Sequence, residues 1–262
     1  MDQKLLIIKN LNVSVGDHSQ QKMIISNLNL EIPELSIVAL VGGSGSGKTT
    51  TGLSILRLLP LGFNILSGQI LFKNENLLTA SFEKMRLLRG KEISMVFQEP
   101  LSAFNPVFTI GYQINEVLEF HTSLSSVQRR NKVLELLDFV EIRDPRRIVQ
   151  SYPHQLSGGM RQRAMIASAI AASSELIIAD EPTSNLDVTL QAKIMDLFRK
   201  LKNEFKLSIL LITHDLGLVS HLADHVAIMT QGRIVESGLT KEILDNPQHE
   251  YTKLLMEAFQ LT

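Results

Sequence analysis

At 262 residues the chain is long enough to bury a substantial core, either as one large domain or as a core with an inserted subdomain. Its 26 basic and 27 acidic residues leave a formal charge of −1, so no global basic field points to nucleic acid or anionic lipid. The absence of cysteine excludes disulfides, thiolate zinc sites and thiol catalysis.

Residues 1–10 lack a basic segment followed by a long apolar one, so no signal peptide is expected. No stretch approaches the roughly 20 apolar residues that cross a bilayer, and any membrane role is expected to come through a partner. Residues 5–15 alternate imperfectly and 24–32 follow the same pattern, which predicts two strands around a polar turn at 16–21. The apolar run 35–41 predicts a buried strand. It leads into Gly42, Gly43, Ser44, Gly45, Ser46, Gly47, Lys48 and Thr49, which fit G-x-x-x-x-G-K-[ST]. Residues 50–59 predict a helix ending at Pro60, so this glycine loop stands at a helix N-terminus. Backbone N–H groups can converge there on phosphate oxygens, Lys48 adds positive charge, and the Thr49 hydroxyl can ligate Mg²⁺. An ordinary Gly/Ser turn is the simpler alternative, but the fixed positions recur by chance in roughly one chain per hundred of this length.

Beyond the loop, residues 68–73 predict a short strand, 74–76 a turn and 92–97 another apolar strand. From 98 to about 173 the periodicity becomes helical. Val133, Leu136, Leu137 and Val140 fall at i, i+3, i+4 and i+7, with Ser125 or Ser126 as a cap. A strand is expected at 176–179, then a helix at 188–202 with Ile194, Leu197, Phe198 and Leu201 on one face. Strands at 208–212, 226–229 and 233–237, the last two about a Gln231-Gly232 turn, precede a short helix at 251–259. Alternation of strands and helices implies an α/β fold with a largely parallel sheet and its ligand at the strand C-terminal ends. The helical block reads as an insertion.

Leu176, Ile177, Ile178 and Ala179 run into Asp180 and Glu181. A buried strand ending in a solvated acidic turn explains this by itself. In a chain with a phosphate loop, however, Asp180 can serve a magnesium shell and Glu181 can polarise a water, assistance worth typically about 10²–10⁴-fold. Leu156, Ser157, Gly158, Gly159 and Met160 open a helix reaching about Ala172. They make either a second anion-binding helix start or a simple N-capped helix. His221 and His225 have the i, i+4 spacing of a helical metal pair, but without a clear third ligand they are expected to be two exposed helix histidines.

The order of these motifs resembles that of the ATP-binding cassette (ABC) ATPases, whose signature Leu-Ser-Gly-Gly-X stands shortly before a strand ending in Asp-Glu. Gln98 is similar to the Q-loop glutamine, Ser184-Asn185-Leu186-Asp187 to the D-loop, and His214 to the switch histidine near the γ-phosphate. Residues 98–106, Tyr152-Pro153-His154-Gln155, Asp187-Val188-Thr189 and Pro247-Gln248-His249-Glu250-Tyr251-Thr252 more narrowly resemble the peptide/nickel importer ATPases. The resemblance spans almost the whole chain.

It implies a P-loop NTPase (RecA-like) core with a mostly parallel sheet, an antiparallel β subdomain and an inserted α-helical subdomain. The core would occupy 1–97 and 174–240, the helical subdomain 98–173 and a short helical tail 241–262. The implied cofactors are ATP and Mg²⁺. ATP would be held by Gly42, Gly43, Ser44, Gly45, Ser46, Gly47, Lys48, Thr49, Thr50 and Gln98, and covered by Ser157, Gly158 and Gly159 of a second subunit. Thr49, Gln98 and Asp180 would hold the metal, and Lys48, Glu181 and His214 would be catalytic, Glu181 as the base. Val15 stands where an aromatic commonly stacks on adenine, with His18 in the following turn able to substitute, and Gly43 stands where many relatives have Glu.

The resemblance also implies partners: membrane permease subunits, a second ATPase subunit in a homo- or heterodimer and, indirectly, a solute-binding protein, with no nucleic acid. It places the chain peripherally on the cytoplasmic face of the cell (inner) membrane. Leu101, Phe104, Val107 and Phe108 can line a groove for a permease coupling helix or be subdomain core. Many peptide importer ATPases continue well beyond Phe259, so any function of that extension is expected to be missing. A non-transport ABC ATPase working with a soluble complex is the alternative class.

Overall fold

A computed structural model describes residues 3–17, 21–184 and 186–260. In chain order the first elements are β1 (Lys4–Val15), β2 (Lys22–Pro33), β3 (Ile37–Val41), α1 (Lys48–Leu56), β4 (Phe63–Phe72), β5 (Glu75–Asn76) and α2 (Phe82–Leu88). Then come β6 (Ile93–Val96), α3 (Pro100–Ala103), α4 (Ile110–His121), α5 (Ser126–Phe139), α6 (Pro145–Ile148) and α7 (Gly158–Ile170). The rest are β7 (Leu176–Asp180), α8 (Val188–Phe205), β8 (Ser208–Thr213), α9 (Leu216–Leu222), β9 (His225–Thr230), β10 (Arg233–Leu239), α10 (Thr240–Asp245) and α11 (Glu250–Gln260). Two compact units result, one of residues 1–85 and 206–262, the other of residues 86–205.

The first unit holds the phosphate loop. Its antiparallel sheet has the order β2-β1-β4-β5. Separately, β3 lies parallel between β8 and β9, and β10 pairs antiparallel with β9. Every residue of β3 and β8 is buried, which is why both read as unbroken apolar runs and not as alternating ones. Asp224 fixes the start of β3, its carboxylate accepting the Ile37 N–H at 2.7 Å.

The second unit pairs β6 with β7 in parallel and adds α3 to α8. Local sequence sets its helix starts. Ser125 and Gln128 form a capping box on α5, Thr109 caps α4, and Asp144 caps α6. The apolar set Val133, Leu136 and Leu137 of α5 is buried, with Val140 just beyond the helix.

Several bounds differ from expectation for identifiable reasons. The helix after the phosphate loop stops at Leu56, ahead of residue 59, because Arg57 turns left-handed (φ +53) and the Leu58 N–H returns to the Leu53 carbonyl. The strand expected from residue 68 begins at Phe63, where it pairs with the end of β1. The turn expected at 74–76 falls on Lys73 and Asn74, both left-handed as a two-residue hairpin requires. Among the described residues no helix is long and apolar enough to cross a membrane.

Candidate functional site

The phosphate loop leaves the buried end of β3 and enters α1. Gly42 permits a close approach, since a Cβ there would lie 2.0 Å from the Met229 carbonyl oxygen. Gly45 and Gly47 have φ of +76° and +106°, a region that strains any side chain. Lys48 is buried, and its Nζ donates to the carbonyls of Gly42 (2.7 Å) and Gly43 (2.9 Å), which fold the ammonium back over the loop. Among the described residues Ser46 Oγ is buried without a hydrogen-bond partner, Ser44 and Thr49 are exposed, and Gly43 and Thr50 are half-buried. Gly47 gives α1 no side-chain cap, so the N–H groups of the first turn face no competing capping oxygen. A buried cation, an orphaned hydroxyl and left-handed glycines at an uncapped helix start fit a phosphate chain. Two further ties hold the loop from outside: the Gly232 N–H donates to Ser46 O (3.0 Å), and the Gly43 N–H donates to Tyr251 Oη (2.9 Å).

Other candidates in the same unit are separate features. His214 is exposed just after β8, and Asp215 beside it caps α9 by accepting from Gly217 (2.8 Å) and Leu218 (3.2 Å). Val15 ends β1 opposite Lys22 on one side and Phe63 on the other. His18 lies outside the described residues. The histidine pair is corrected: α9 ends at Leu222, and His225 begins β9 and is half-buried, so the two do not share a helix face. Asp224 causes the break, because its side chain and carbonyl are committed to Ile37 and Thr240.

In the unit of residues 86–205, Asp180 is buried at the end of β7. Glu181 follows at φ +42°, left-handed for a non-glycine residue, and its carbonyl accepts from the Ser184 N–H (3.2 Å) and Oγ (3.1 Å). A strained acidic residue at a strand end is the kind of outlier found where function fixes geometry. Ser157 caps α7 by accepting the Met160 N–H at 3.4 Å. Ser157 and Gly158 are exposed, whereas Gly159 is buried, and a Cβ on it would press to 3.3 Å from Leu190. Asp187 caps the start of α8 by accepting from Leu190 N–H, while Asn185 lies outside the described residues. Gln98 is exposed and lines a cavity of about 250 Å³ with Gly158, Gln162, Ser184 and Leu186. This unit therefore brings the Gln98 segment, the start of α7 and the segment after Glu181 to one cavity.

The apolar stretch after Gln98 divides. Phe104 is buried (7% exposed), whereas Leu101 (45%), Val107 (68%) and Phe108 (40%) face solvent. Phe108 stacks on Tyr112 at 4.6 Å, and Tyr112 also lines a cavity of about 780 Å³ with Arg129, Arg130, Val133, Arg146 and Val149.

A family model described as "ABC transporter" matches residues 25–184, more than half of the chain. This chain belongs to the ABC transporter family. A peptidoglycan transport ATP-binding protein of Agrobacterium fabrum is 45% identical over 98% of the chain, which spans only 47% of that relative's length. A dipeptide transport ATP-binding protein of Bacillus subtilis is 43% identical over 97% of the chain and 76% of the relative. Among solved structures, a dimeric ATP-binding cassette in a post-hydrolysis state bound to ADP and Pi superposes with a TM-score of 0.80 at 28% identity, covering 90% of this chain and 98% of that one. The ABC family match takes in Gly42 to Thr50, Gln98, the signature and Glu181; Val15 and His214 stand outside it. Sequence reading of this ABC chain missed Tyr251 and Met229 as neighbours of the phosphate loop. No local pattern could have found them, because both reach it only through folding.

Proposed function

We propose that the chain is the ATP-hydrolysing, nucleotide-binding subunit of an ABC importer, energising uptake of peptides or nickel-type metal chelates through separate permease subunits. The observation that carries the reading is the phosphate loop: a buried Lys48 folded over left-handed glycines at the uncapped start of α1. Relatives named for dipeptide and oligopeptide transport support peptides as cargo.

In this reading Gly42, Gly43, Ser44, Gly45, Ser46, Gly47, Lys48, Thr49 and Thr50 hold the triphosphate, together with Gln98. Gly42 O and Gly43 O take two of the three Lys48 ammonium N–H groups and aim the third at a phosphate oxygen. Val15, with Phe63 directly across β1–β4, flanks the base. Thr49, Gln98 and Asp180 would hold Mg²⁺, which when bound would supply positive charge against the phosphates. Glu181 accepts the proton of the attacking water as its oxygen bonds to the γ-phosphorus and the bond to the leaving phosphate oxygen breaks. His214 donates toward the γ-phosphate. Little covalent chemistry falls to the protein, so positioning and electrostatics dominate.

Ser157, Gly158 and Gly159 offer their helix start to the nucleotide of a second subunit, which makes each cassette half of each site. The partition into a core at 1–97 and 174–240, a helical subdomain at 98–173 and a tail at 241–262 belongs to the same reading. The exposed Leu101, Val107, Phe108 and Tyr112 receive a permease coupling helix. The subunit then sits peripherally on the cytoplasmic face of the membrane.

Reconstitution in vesicles with the permease pair and the solute-binding protein tests this. Peptide-stimulated phosphate release is the expected result. Recovery of the chain only with soluble partners, and never with permeases, would overturn the importer reading.

A further inference from the structure

One hydroxyl joins the C-terminal helix α11 to the phosphate loop. The Gly43 N–H donates to Tyr251 Oη at 2.9 Å, and a Cβ on Gly43 would stand 3.2 Å from that oxygen. The peptide unit between Gly42 and Gly43 is planar and trans, so its C=O and N–H point in opposite directions. At the carbonyl end, Gly42 O accepts from Lys48 Nζ at 2.7 Å. Tyr251 therefore grips one end of the amide whose other end orients the Lys48 ammonium. Hydrogen bonds in series through one amide polarise each other and resist rotation of the plane.

Tyr251 is itself held. The Glu236 carboxylate on β10 accepts from the N–H groups of Gln248 (2.8 Å) and His249 (3.1 Å), which fixes the chain as it enters α11. The Tyr251 N–H donates to His249 Nδ1 at 3.1 Å. Tyr251, Leu255 and Met256 pack on a buried cluster that includes Ala39 and Val41 of β3, the strand that delivers the loop. Helix and loop thus share one rigid foundation, with the hydroxyl as the polar link between them.

We propose that Tyr251 is a positioning residue for Lys48, so that α11 is a working part of the phosphate site and not only a tail. The proposal rests on the nucleotide reading above. Tyr251 acts through the Gly42–Gly43 amide and needs no contact with the nucleotide.

The test is a titration of the full chain with the fluorescent N-methylanthraniloyl derivative of ATP in Mg²⁺, for wild type, Tyr251→Phe and Met256→Ala. Phe keeps the ring and its packing while removing the hydroxyl. Tyr251→Phe should weaken binding about three- to tenfold, the loss of one hydrogen bond, with an unchanged melting temperature and faster hydrogen exchange at the Gly43 amide. Met256→Ala loosens the same helix without touching the hydroxyl, and should lower the melting temperature while leaving affinity near wild type. The proposal is overturned if Tyr251→Phe binds as wild type does, or if Met256→Ala weakens binding as much as Tyr251→Phe. A wild-type chain that binds no nucleotide would instead remove the reading on which the proposal rests.

Discussion

The phosphate loop and the signature turn are both glycine-rich entries to helices, yet they are built in opposite ways. The phosphate loop uses glycines for conformation, with Gly45 and Gly47 left-handed, and is tied down by Gly232, Tyr251 and its own Lys48. The signature uses Gly159 for space, packed against Leu190, and its Ser157 caps α7 while remaining exposed with Gly158. One start lacks a side-chain cap and carries a buried cation; the other is a capped surface turn. In the proposed function the first serves as a preformed receptor for an anion, and the second, exposed at Ser157 and Gly158, as the face offered to a partner's site.

The largest expected effect tests the chemistry to which both serve. Glu181→Gln should cut phosphate release about 10²–10⁴-fold while nucleotide affinity stays near wild type, and closed dimers should accumulate on sedimentation. Near-normal hydrolysis would remove Glu181 from its role as base.

The next effect breaks the receptor alone. Lys48→Ala removes charge-assisted hydrogen bonds and should weaken ATP binding to the isolated chain about 10- to 100-fold in a fluorescence titration. Unchanged affinity would refute the account of the loop. Ser157→Ala sharpens the contrast, because it should cost about 1 kcal/mol of stability through the lost cap and abolish ATP-dependent dimerisation. Affinity of the single chain should stay the same. A loss of affinity like that of Lys48→Ala would erase the distinction between receptor and presented face.

The smallest effect concerns acid, and it separates the two units. Burial, then the nearby Lys91 charge, holds His121 at the end of α4 below its ordinary 6.5. The unfolded chain therefore binds the extra proton first, so this contribution to stability is complete above pH 6.5 and is lost as pH falls toward the folded value. Burial pulls the Glu236 carboxyl upward, but its hydrogen bonds, those from Gln248 and His249 among them, outweigh that and leave it below 4.5. Its contribution is complete above pH 4.5 and is lost as pH falls through the folded value. Hydrogen-exchange protection should thus fall in α4 as pH drops below 6.5 while the start of α11 keeps its protection. His121→Gln should flatten the α4 response; equal loosening of both regions would contradict these assignments.

Much of this protein is local chemistry and was legible in the sequence. The run Ile37–Val41, the glycine loop, a cap at Ser125 or Ser126 and the strand running into Asp180 each follow from side-chain volume, φ preference or hydrogen bonding within a few residues. Even the signature helix start at Ser157 was readable, since an N-cap is a three-residue event. The His221 and His225 pair misled because i, i+4 spacing has meaning only if one helix persists, and Asp224 ends it through contacts with Ile37 and Thr240. Which apolar residues after Gln98 are core was equally undecidable until packing buried Phe104 and left Val107 outside.

The sequence by itself determined that a phosphate loop, a signature turn and an acidic strand end exist, because each is encoded by neighbours in the chain. Only the tertiary structure decided what holds them in place. Met229, Gly232 and Tyr251 reach the loop from the far end of the chain, and no local pattern records a contact whose partners are joined only when β3, β9 and α11 pack together.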